Sequence, residues 1–299
     1  MKTGALRGIL PAVVTPFDDG GRFVPAVFEQ LLERMYGAGV HGVYVCGTTG
    51  EGMLQSVAQR QAVAEAAVAA TPRDRSVVVH VGASSLDDAR ALAVHAERVG
   101  AHAVSSLPPM SASFGFRETL AYYETLARAT DLPLLVYYFP ELSSSISTTD
   151  QLEALCALPN VVGVKFTDFD LFRMAQVLRP ERRVFNGRDE VLAAGLLMGA
   201  DGGIGTFYNL VPELFVRIYE AALAGNWDDV RDAQKQVNEL IRITLRFPLF
   251  PAVKQVLTWS GLDCGVCLPP RAPLDDTQRT ALHRQLVDGG FGRLVSEKD

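Results

Sequence analysis

The sequence predicts an α/β protein, a (β/α)8 TIM barrel with a C-terminal helical extension. Short apolar, β-branched runs alternate with longer amphipathic segments rich in Ala and Leu. The short runs are continuously apolar, which is typical of strands that are buried on both faces. Eight such units occupy about 225 residues, the usual size of this barrel. A doubly wound open sheet is the alternative, but the even spacing of the units favours closure.

The composition excludes several classes of protein. Of 299 residues, 48% are apolar and 21% are charged, so a large core is possible. The net charge is −6 and there is no basic stripe, which argues against a nucleic-acid partner. No apolar run approaches the roughly 18 residues of a membrane-spanning helix. We therefore expect a small-molecule ligand and no membrane.

The cysteine content indicates a reducing environment. Four cysteines do not form a disulfide framework in a chain of this size, and the N-terminus is typical of a first strand, not of a signal peptide. The protein is therefore expected to be cytoplasmic. Cys264 and Cys267 form a C-x-x-C motif without a second ligand pair or a thioredoxin-like context, so we interpret them as incidental thiols.

Eight strands are predicted from the apolar runs. Their bounds are Gly8–Val14, Gly42–Cys46, Ser76–Val81, Ala103–Leu107, Leu134–Tyr138, Val161–Phe166, Arg183–Asn186 and Gly202–Gly205.

Helical segments follow the strands. Those within the barrel are Pro25–Ala38, Ala58–Ala70, Leu86–Val99, Phe116–Ala129, Asp150–Leu155, Leu171–Val177 and Glu190–Met198. Thr149 and Asp150 suit an N-cap, and Gly100 and Gly225 suit helix ends.

Four further helices follow the eighth strand. They are predicted at Pro212–Ala224, Trp227–Leu245, Pro251–Trp259 and Leu274–Val287. The first completes the barrel, so residues 1–225 are expected to form the barrel with the active site and residues 226–299 the extension.

Polar and glycine-rich residues repeatedly follow the strands. Catalytic groups of such barrels lie at the carboxyl ends of the strands. The clustering predicts one site there, with these segments: Gly47–Gly52 after strand 2, Tyr137 and Tyr138 at the end of strand 5, Lys165–Asp168 at the end of strand 6, Gly187–Glu190 after strand 7, and Gly205 and Thr206 at the end of strand 8.

Lys165 is the most informative candidate. Only five of the 28 basic residues are lysine, yet this one lies in an apolar strand. Burial disfavours the charged form of an amine. A neutral amine can attack a carbonyl to form a Schiff base. The alternative is a lysine that pairs with a buried carboxylate or extends its ammonium group out of the barrel end.

Tyr137 ends the neighbouring strand, where a phenol could relay protons to a bound substrate. The alternative is a core aromatic ring with its hydroxyl at the rim. Because side chains alternate along a strand, only one of Tyr137 and Tyr138 can face the barrel interior.

The loops offer binding groups. Thr48 and Thr49 lie in a glycine-flanked loop that suits a carboxylate or phosphate, or else forms an ordinary turn. Asp189 and Glu190 could bind a polyhydroxy substrate, or lie in the first turn of a helix. Metal-ligand spacings, serine-hydrolase elbows and dinucleotide-binding glycine motifs are missing from the sequence, and His80 is interpreted as a core or rim histidine.

Several motifs together resemble one family. They are G-T-T-G-E at 47–51, the Tyr137 strand ending in Pro140, and G-V-K-F-T-D at 163–168. The chain resembles the N-acetylneuraminate lyase and dihydrodipicolinate synthase superfamily over nearly its whole length. The segments 186–190, 198–209 and 80–83 resemble the lyase branch most.

The resemblance implies a role for each site residue. Lys165 would form the Schiff base, Tyr137 would relay protons, and Thr48 and Thr49 would hold the keto-acid carboxylate. The contacts to the hydroxylated chain of a sugar acid would come from Thr167, Gly187, Asp189, Glu190 and Thr206.

The implied activity is reversible cleavage of N-acetylneuraminate to N-acetylmannosamine and pyruvate by a class I aldolase, without a metal or cofactor. The resemblance also implies a homotetramer. An aldolase or dehydratase for another 2-keto-3-deoxy acid, such as the gluconate, is the alternative, as is a dihydrodipicolinate synthase-like enzyme of unassigned substrate. A non-catalytic sensor is disfavoured because the lysine, tyrosine and carboxylate loop are all present.

Three departures from the superfamily pattern bear on the substrate. Synthases carry an arginine shortly after the tyrosine strand, where this chain has Glu141, Leu142 and a serine run. They also place a tyrosine near the end of strand 4, where this chain has residues 107–111 without one. Tyr138 replaces the asparagine that is usual in bacterial lyases, which predicts a different site mouth.

Overall fold

The structure is a computed structural model that describes residues 6–110 and 114–296. Position 111, the last residue of the segment discussed after strand 4, therefore lies outside the described residues. Eight strands are present in these ranges: β1 (Gly8–Pro11), β2 (Gly42–Val45), β3 (Ser76–His80), β4 (Ala103–Ser106), β5 (Leu134–Tyr138), β6 (Val161–Phe166), β7 (Arg183–Asn186) and β8 (Gly202–Gly205).

The helices of the barrel alternate with these strands. They are α1 (Pro25–Gly37), α2 (Val57–Ala70), α3 (Leu86–Arg98), α4 (Phe116–Ala129), α5 (Thr149–Cys156), α6 (Leu171–Val177), α7 (Leu192–Met198) and α8 (Pro212–Leu223). The extension consists of α9 (Trp227–Thr244), α10 (Leu249–Trp259) and α11 (Asp276–Asp288).

The sheet is parallel throughout and closes on itself. β1 pairs with β8, and each remaining strand pairs with the next one in sequence. Between β1 and β2 the backbone N–H of Val13 donates to the carbonyl of Tyr44 at 2.9 Å, and that of His41 donates to Ile9 at 2.9 Å. The predicted (β/α)8 barrel with C-terminal helices is confirmed.

Strand alternation produces two separate apolar layers. Leu10, Tyr44, Leu135, Tyr137 and Phe185 belong to the layer that fills the barrel. The neighbouring strand residues belong to a much larger layer between the sheet and the helices. An inward-facing side chain at the carboxyl end of a strand therefore lies at the floor of the barrel mouth.

Several predicted boundaries differ from the structure. β1 ends at Pro11 instead of Val14, because the chain beyond it bonds to both β8 and β2 and leaves the regular ladder. Thr148 caps α5, not Thr149 or Asp150, and its hydroxyl accepts from the N–H of Gln151 at 3.2 Å. The predicted seventh helix begins with a short 3-10 turn, Asp189–Val191.

The extension packs on the barrel beside the site. Gly100 and Gly225 have the positive φ values, 88° and 73°, that suit the predicted helix ends. Among the helices that the structure describes, none combines the length and apolar character needed to cross a bilayer. The link between α9 and α10 brings the extension to the mouth of the barrel.

Candidate active site

Lys165 lies at the carboxyl end of β6 with its side chain inside the barrel. Its neighbours Val164 and Phe166 face the outer layer. The Nζ atom lies 4.2 Å from the ring centroid of Tyr44 and 3.9 Å from that of Tyr137, and the residue is only 4% exposed. Lys165 forms no ion pair with any described residue. The amine is thus held by two aromatic rings and leaves its nitrogen available for chemistry.

Tyr137 is the direct register partner of Lys165 across the β5–β6 pair. Its ring makes edge contacts with Tyr44 and His80, at centroid distances of 6.1 and 6.0 Å. Tyr138 faces outward, where its hydroxyl donates to Asp168 at 3.4 Å and accepts a bond from Arg173. The predicted alternation is therefore confirmed.

The mouth of the site is not shaped by Tyr138, contrary to the prediction. That side chain points away from the cavity, and the next residue, Phe139, lines it instead. The Phe139 ring stacks on Tyr137 with the centroids 5.9 Å apart.

The loop after β2 brings two threonine hydroxyls to the cavity. Thr49 shares a 2.7 Å hydrogen bond with Thr206, which joins the loops after β2 and β8. The Thr48 hydroxyl is buried without a protein partner in the described part of the chain. Gly52 is required by this tight loop, since a Cβ there would lie 1.8 Å from the carbonyl oxygen of Cys46. The loop therefore presents the hydroxyl of Thr49, which is hydrogen-bonded, and that of Thr48, which has no partner among the described residues.

Glu51 in the same loop points away from the cavity into the extension, a role that sequence reasoning missed. Its fully buried carboxylate contacts Lys254 Nζ at 3.0 Å and Arg271 at 3.2 Å, and accepts from the N–H of Leu268 at 2.8 Å. The residue itself has a left-handed φ of 56°. This cluster anchors the threonine loop to the C-terminal helices.

The loops after β6 and β7 form the opposite wall. The Thr167 hydroxyl is buried and lacks a partner among the described residues. Gly187 leaves room for it, because a Cβ at that position would lie 2.0 Å from Thr167 Oγ1. Two buried hydroxyls without protein partners, Thr48 and Thr167, thus line the same space and can bond to a ligand.

Asp189 is a buried carboxylate at this wall. It accepts a hydrogen bond from the N–H of Phe207 at 2.7 Å and forms no ion pair within the described residues. Burial raises the pKa of Asp189 to about 7, and nearby Glu190 adds to the rise, whereas the bond from Phe207 and the charge of Lys165 oppose it. The side chain can therefore change protonation near neutral pH.

All nine predicted site residues line one cavity of about 360 Å³. Sequence reasoning placed Arg188 in a site segment but gave it no role, and it missed the walls from the extension, Leu245, Leu249 and Phe250. It also missed Tyr44, although the alternation of β2 is the signal that places this ring inside the barrel.

His80 is a buried core histidine, as predicted. Its Nε2 accepts from the N–H of Leu107 at 3.1 Å. Burial, together with the charges of Arg60 and Lys165, lowers its pKa well below the ordinary value. The four cysteines are free thiols, and within residues 6–110 and 114–296 no group of His, Cys, Asp or Glu could hold a metal ion.

The fold and the site define a class, a (β/α)8 barrel that presents a buried lysine and a tyrosine to a cavity lined with hydroxyls. The chain belongs to the dihydrodipicolinate synthetase family, whose model matches residues 5–288. By family it is a lyase of the aldolase type.

The similar proteins include N-acetylneuraminate lyases and a sialic acid aldolase. N-acetylneuraminate lyase of Rhizobium meliloti is 34% identical over 284 residues, covering 94% of this chain and 95% of its own. The enzyme of the same name from Salmonella paratyphi B is 36% identical over 282 residues, covering 93% and 95%. The structure of Ruminococcus gnavus sialic acid aldolase superposes with a TM-score of 0.90 at 27% identity, covering 96% of this chain and 98% of that one.

Proposed function

We propose that this protein is a class I aldolase that reversibly cleaves N-acetylneuraminate to N-acetylmannosamine and pyruvate. The observation that carries the proposal is the amine of Lys165, buried without an ion pair in the described structure and facing the cavity that all nine predicted residues line. The names of the similar proteins support the substrate.

The substrate carboxylate binds at the threonine loop. The Thr48 hydroxyl has no protein partner among the described residues, and Thr49 follows it along the same wall of the cavity. The hydroxylated chain extends toward Thr167, Gly187, Asp189, Glu190 and Thr206 on the opposite wall. The substrate thereby places its keto carbon between the two walls, at Lys165.

The reaction begins when Lys165 Nζ attacks the C2 carbonyl and water leaves, which forms a protonated imine. Tyr137, with the substrate carboxylate, removes the proton of the C4 hydroxyl. The C3–C4 bond then breaks, its electron pair moves into the iminium to give an enamine, and the aldose leaves. Protonation at C3 and hydrolysis of the imine release pyruvate and restore the amine. The iminium is the electron sink, so the mechanism requires no metal or cofactor.

The test is pyruvate release from N-acetylneuraminate, measured with a coupled lactate dehydrogenase assay. We expect release by the wild type and none by Lys165→Ala. Lys235→Ala is the matched control, since Lys235 is exposed on α9 and should keep full turnover. Borohydride reduction with pyruvate should label the wild type at Lys165 only. Full turnover by Lys165→Ala would overturn the mechanism.

Suppose that the wild type is labelled by pyruvate and borohydride but does not cleave N-acetylneuraminate. This result would support the Schiff-base chemistry and exclude N-acetylneuraminate as the substrate. Other 2-keto-3-deoxy acids, the gluconate first, would then be tested as substrates.

The proposal extends to assembly and location. We expect a cytoplasmic homotetramer, and the exposed Phe172 on α6 and Leu197 on α7, 73% and 65% accessible in the single chain, are the apolar groups that support burial between subunits. Light scattering on the wild type and on a Phe172→Ser, Leu197→Ser double variant checks this. A monomeric wild type would contradict it.

A further inference from the structure

Arg188 lines the cavity, yet the proposed mechanism assigns it no role. It follows Gly187 in the loop after β7, and its side chain is only 15% exposed. The guanidinium carbon lies 5.2 Å from the ring centroid of Phe139 and 4.5 Å from that of Phe169. The ring of Phe139 contacts both this guanidinium and the ring of Tyr137. Arg188 therefore belongs to the wall that leads from the reacting centre to the cavity mouth.

The hydrogen-bonding groups of Arg188 are incompletely used. One Nη atom is paired with Glu141, whose side chain is 62% exposed in the loop after β5. The Nε atom is buried and has no partner in the described part of the chain. The aromatic rings disfavour polar partners where they contact the guanidinium. The N–H groups at the edges of its plane are therefore the groups that remain for a ligand. A solvated carboxylate such as Glu141 is a partner that a substrate can displace at low cost.

We propose that Arg188 is a specificity-determining residue that binds the oxygen-rich end of the substrate farthest from the keto acid, and that Glu141 holds this position in the free enzyme. This rests on the proposed function and narrows its substrate class to sugar acids with a long, oxygen-bearing chain. A shorter acid that shares the same keto-acid end fills the space at Lys165 but does not extend to Arg188.

The experiment compares N-acetylneuraminate with 2-keto-3-deoxygluconate in steady-state cleavage. For Arg188→Ala we expect KM for N-acetylneuraminate to rise about tenfold to a hundredfold, as for the loss of a charged hydrogen bond, with kcat within about twofold. The value of kcat/KM for 2-keto-3-deoxygluconate, the shorter acid, should be the same in Arg188→Ala as in the wild type. Arg188→Lys should recover only part of the loss, because an ammonium lacks the planar fork. Glu141→Ala should leave KM unchanged or lower it.

Two controls separate recognition from folding. Borohydride trapping with pyruvate engages only the Lys165 end, so Arg188→Ala should be trapped like the wild type. Arg173→Ala is the matched control: like Arg188, Arg173 pairs with a carboxylate, in its case Asp170, and lies near an aromatic ring, but on the outer face of the barrel.

The outcomes are distinct. Equal losses for both acids, or no loss for either, would overturn the role of Arg188 while leaving the proposed function intact. Failure of the wild type to cleave N-acetylneuraminate would remove the proposed function and this inference with it.

Discussion

The two lysines that are buried in the described part of the chain lie in contrasting surroundings. Lys165 is 4% exposed and Lys254 is 2% exposed, and each has its amine over an aromatic ring. Lys254 also contacts the Glu51 carboxylate at 3.0 Å and donates to the carbonyl of Val266, whereas Lys165 has no ion pair within the described residues. Burial therefore does not by itself identify a reactive lysine. The presence or absence of a buried carboxylate partner separates a structural cation from an amine available for chemistry.

Replacing each lysine by methionine, which keeps its length, is the most direct test of this contrast. For Lys165→Met we expect a loss of activity of about 10⁴-fold or more, because the covalent nucleophile is removed. The free energy of unfolding, measured in urea, should change by only about 1 kcal/mol, since no charged partner loses its counter-charge. Unchanged turnover, or strong destabilisation, would place Lys165 in the same class as Lys254.

The neighbour of Lys165 provides the second test. Tyr137→Phe should reduce kcat by about 10² to 10⁴-fold, because the proton relay is lost while the ring against the amine stays. Trapping of pyruvate by borohydride should persist. Tyr138→Phe is the matched control, and its outward-facing hydroxyl predicts nearly normal turnover. Equal effects of the two substitutions would contradict the assignment.

Lys254→Met should give the opposite result to Lys165→Met. It leaves the buried Glu51 carboxylate with Arg271 and one backbone N–H, which should cost about 3–5 kcal/mol of unfolding free energy. Urea denaturation measures this loss. The double variant Glu51→Gln, Lys254→Met removes the buried carboxylate charge that has lost its buried partner and should recover part of the stability. A double variant that is no more stable than Lys254→Met would show that the ion pair is not the cause.

Asp189 extends the contrast to a carboxylate that has no ion pair within residues 6–110 and 114–296. Its pKa is about 7 in the folded protein and near 3.8 when exposed, so the folded state binds the proton more tightly. The resulting stabilisation is complete below about pH 4 and is lost as the pH rises through 7, by at most about 4 kcal/mol. Asp189→Asn should remove this part of the pH dependence, measured as the difference in unfolding free energy from the wild type between pH 5 and pH 8. Parallel stability profiles would contradict the shift.

The parts of the structure that depend on local pattern were predictable. The four strands from β5 to β8 match the predicted bounds, because each is a short apolar run between clear breaks. The cap of α5 was wrong by one residue because Thr148, Thr149 and Asp150 are all good N-cap residues. Pattern alone does not distinguish among them.

The parts that depend on distant pairing were not predictable. Glu51 and Lys254 lie in segments that only the folded chain brings together. No motif or sequence spacing predicts that they pair. The pairing with a buried carboxylate that sequence reasoning considered for Lys165 occurs instead at Lys254. The side chains that the extension adds to the cavity are ordinary helix-flanking residues in the sequence.

The register of Tyr137 opposite Lys165 sets where this enzyme can tolerate a change in chain length. One residue inserted within β5 or β6 would turn the following side chains to the other face of the sheet and move the phenol or the amine out of the cavity. An insertion after Glu141, beyond the paired segment, leaves that juxtaposition intact. Loop grafting at the barrel mouth can therefore alter the substrate range, whereas the strands beneath it admit substitutions but no insertions or deletions.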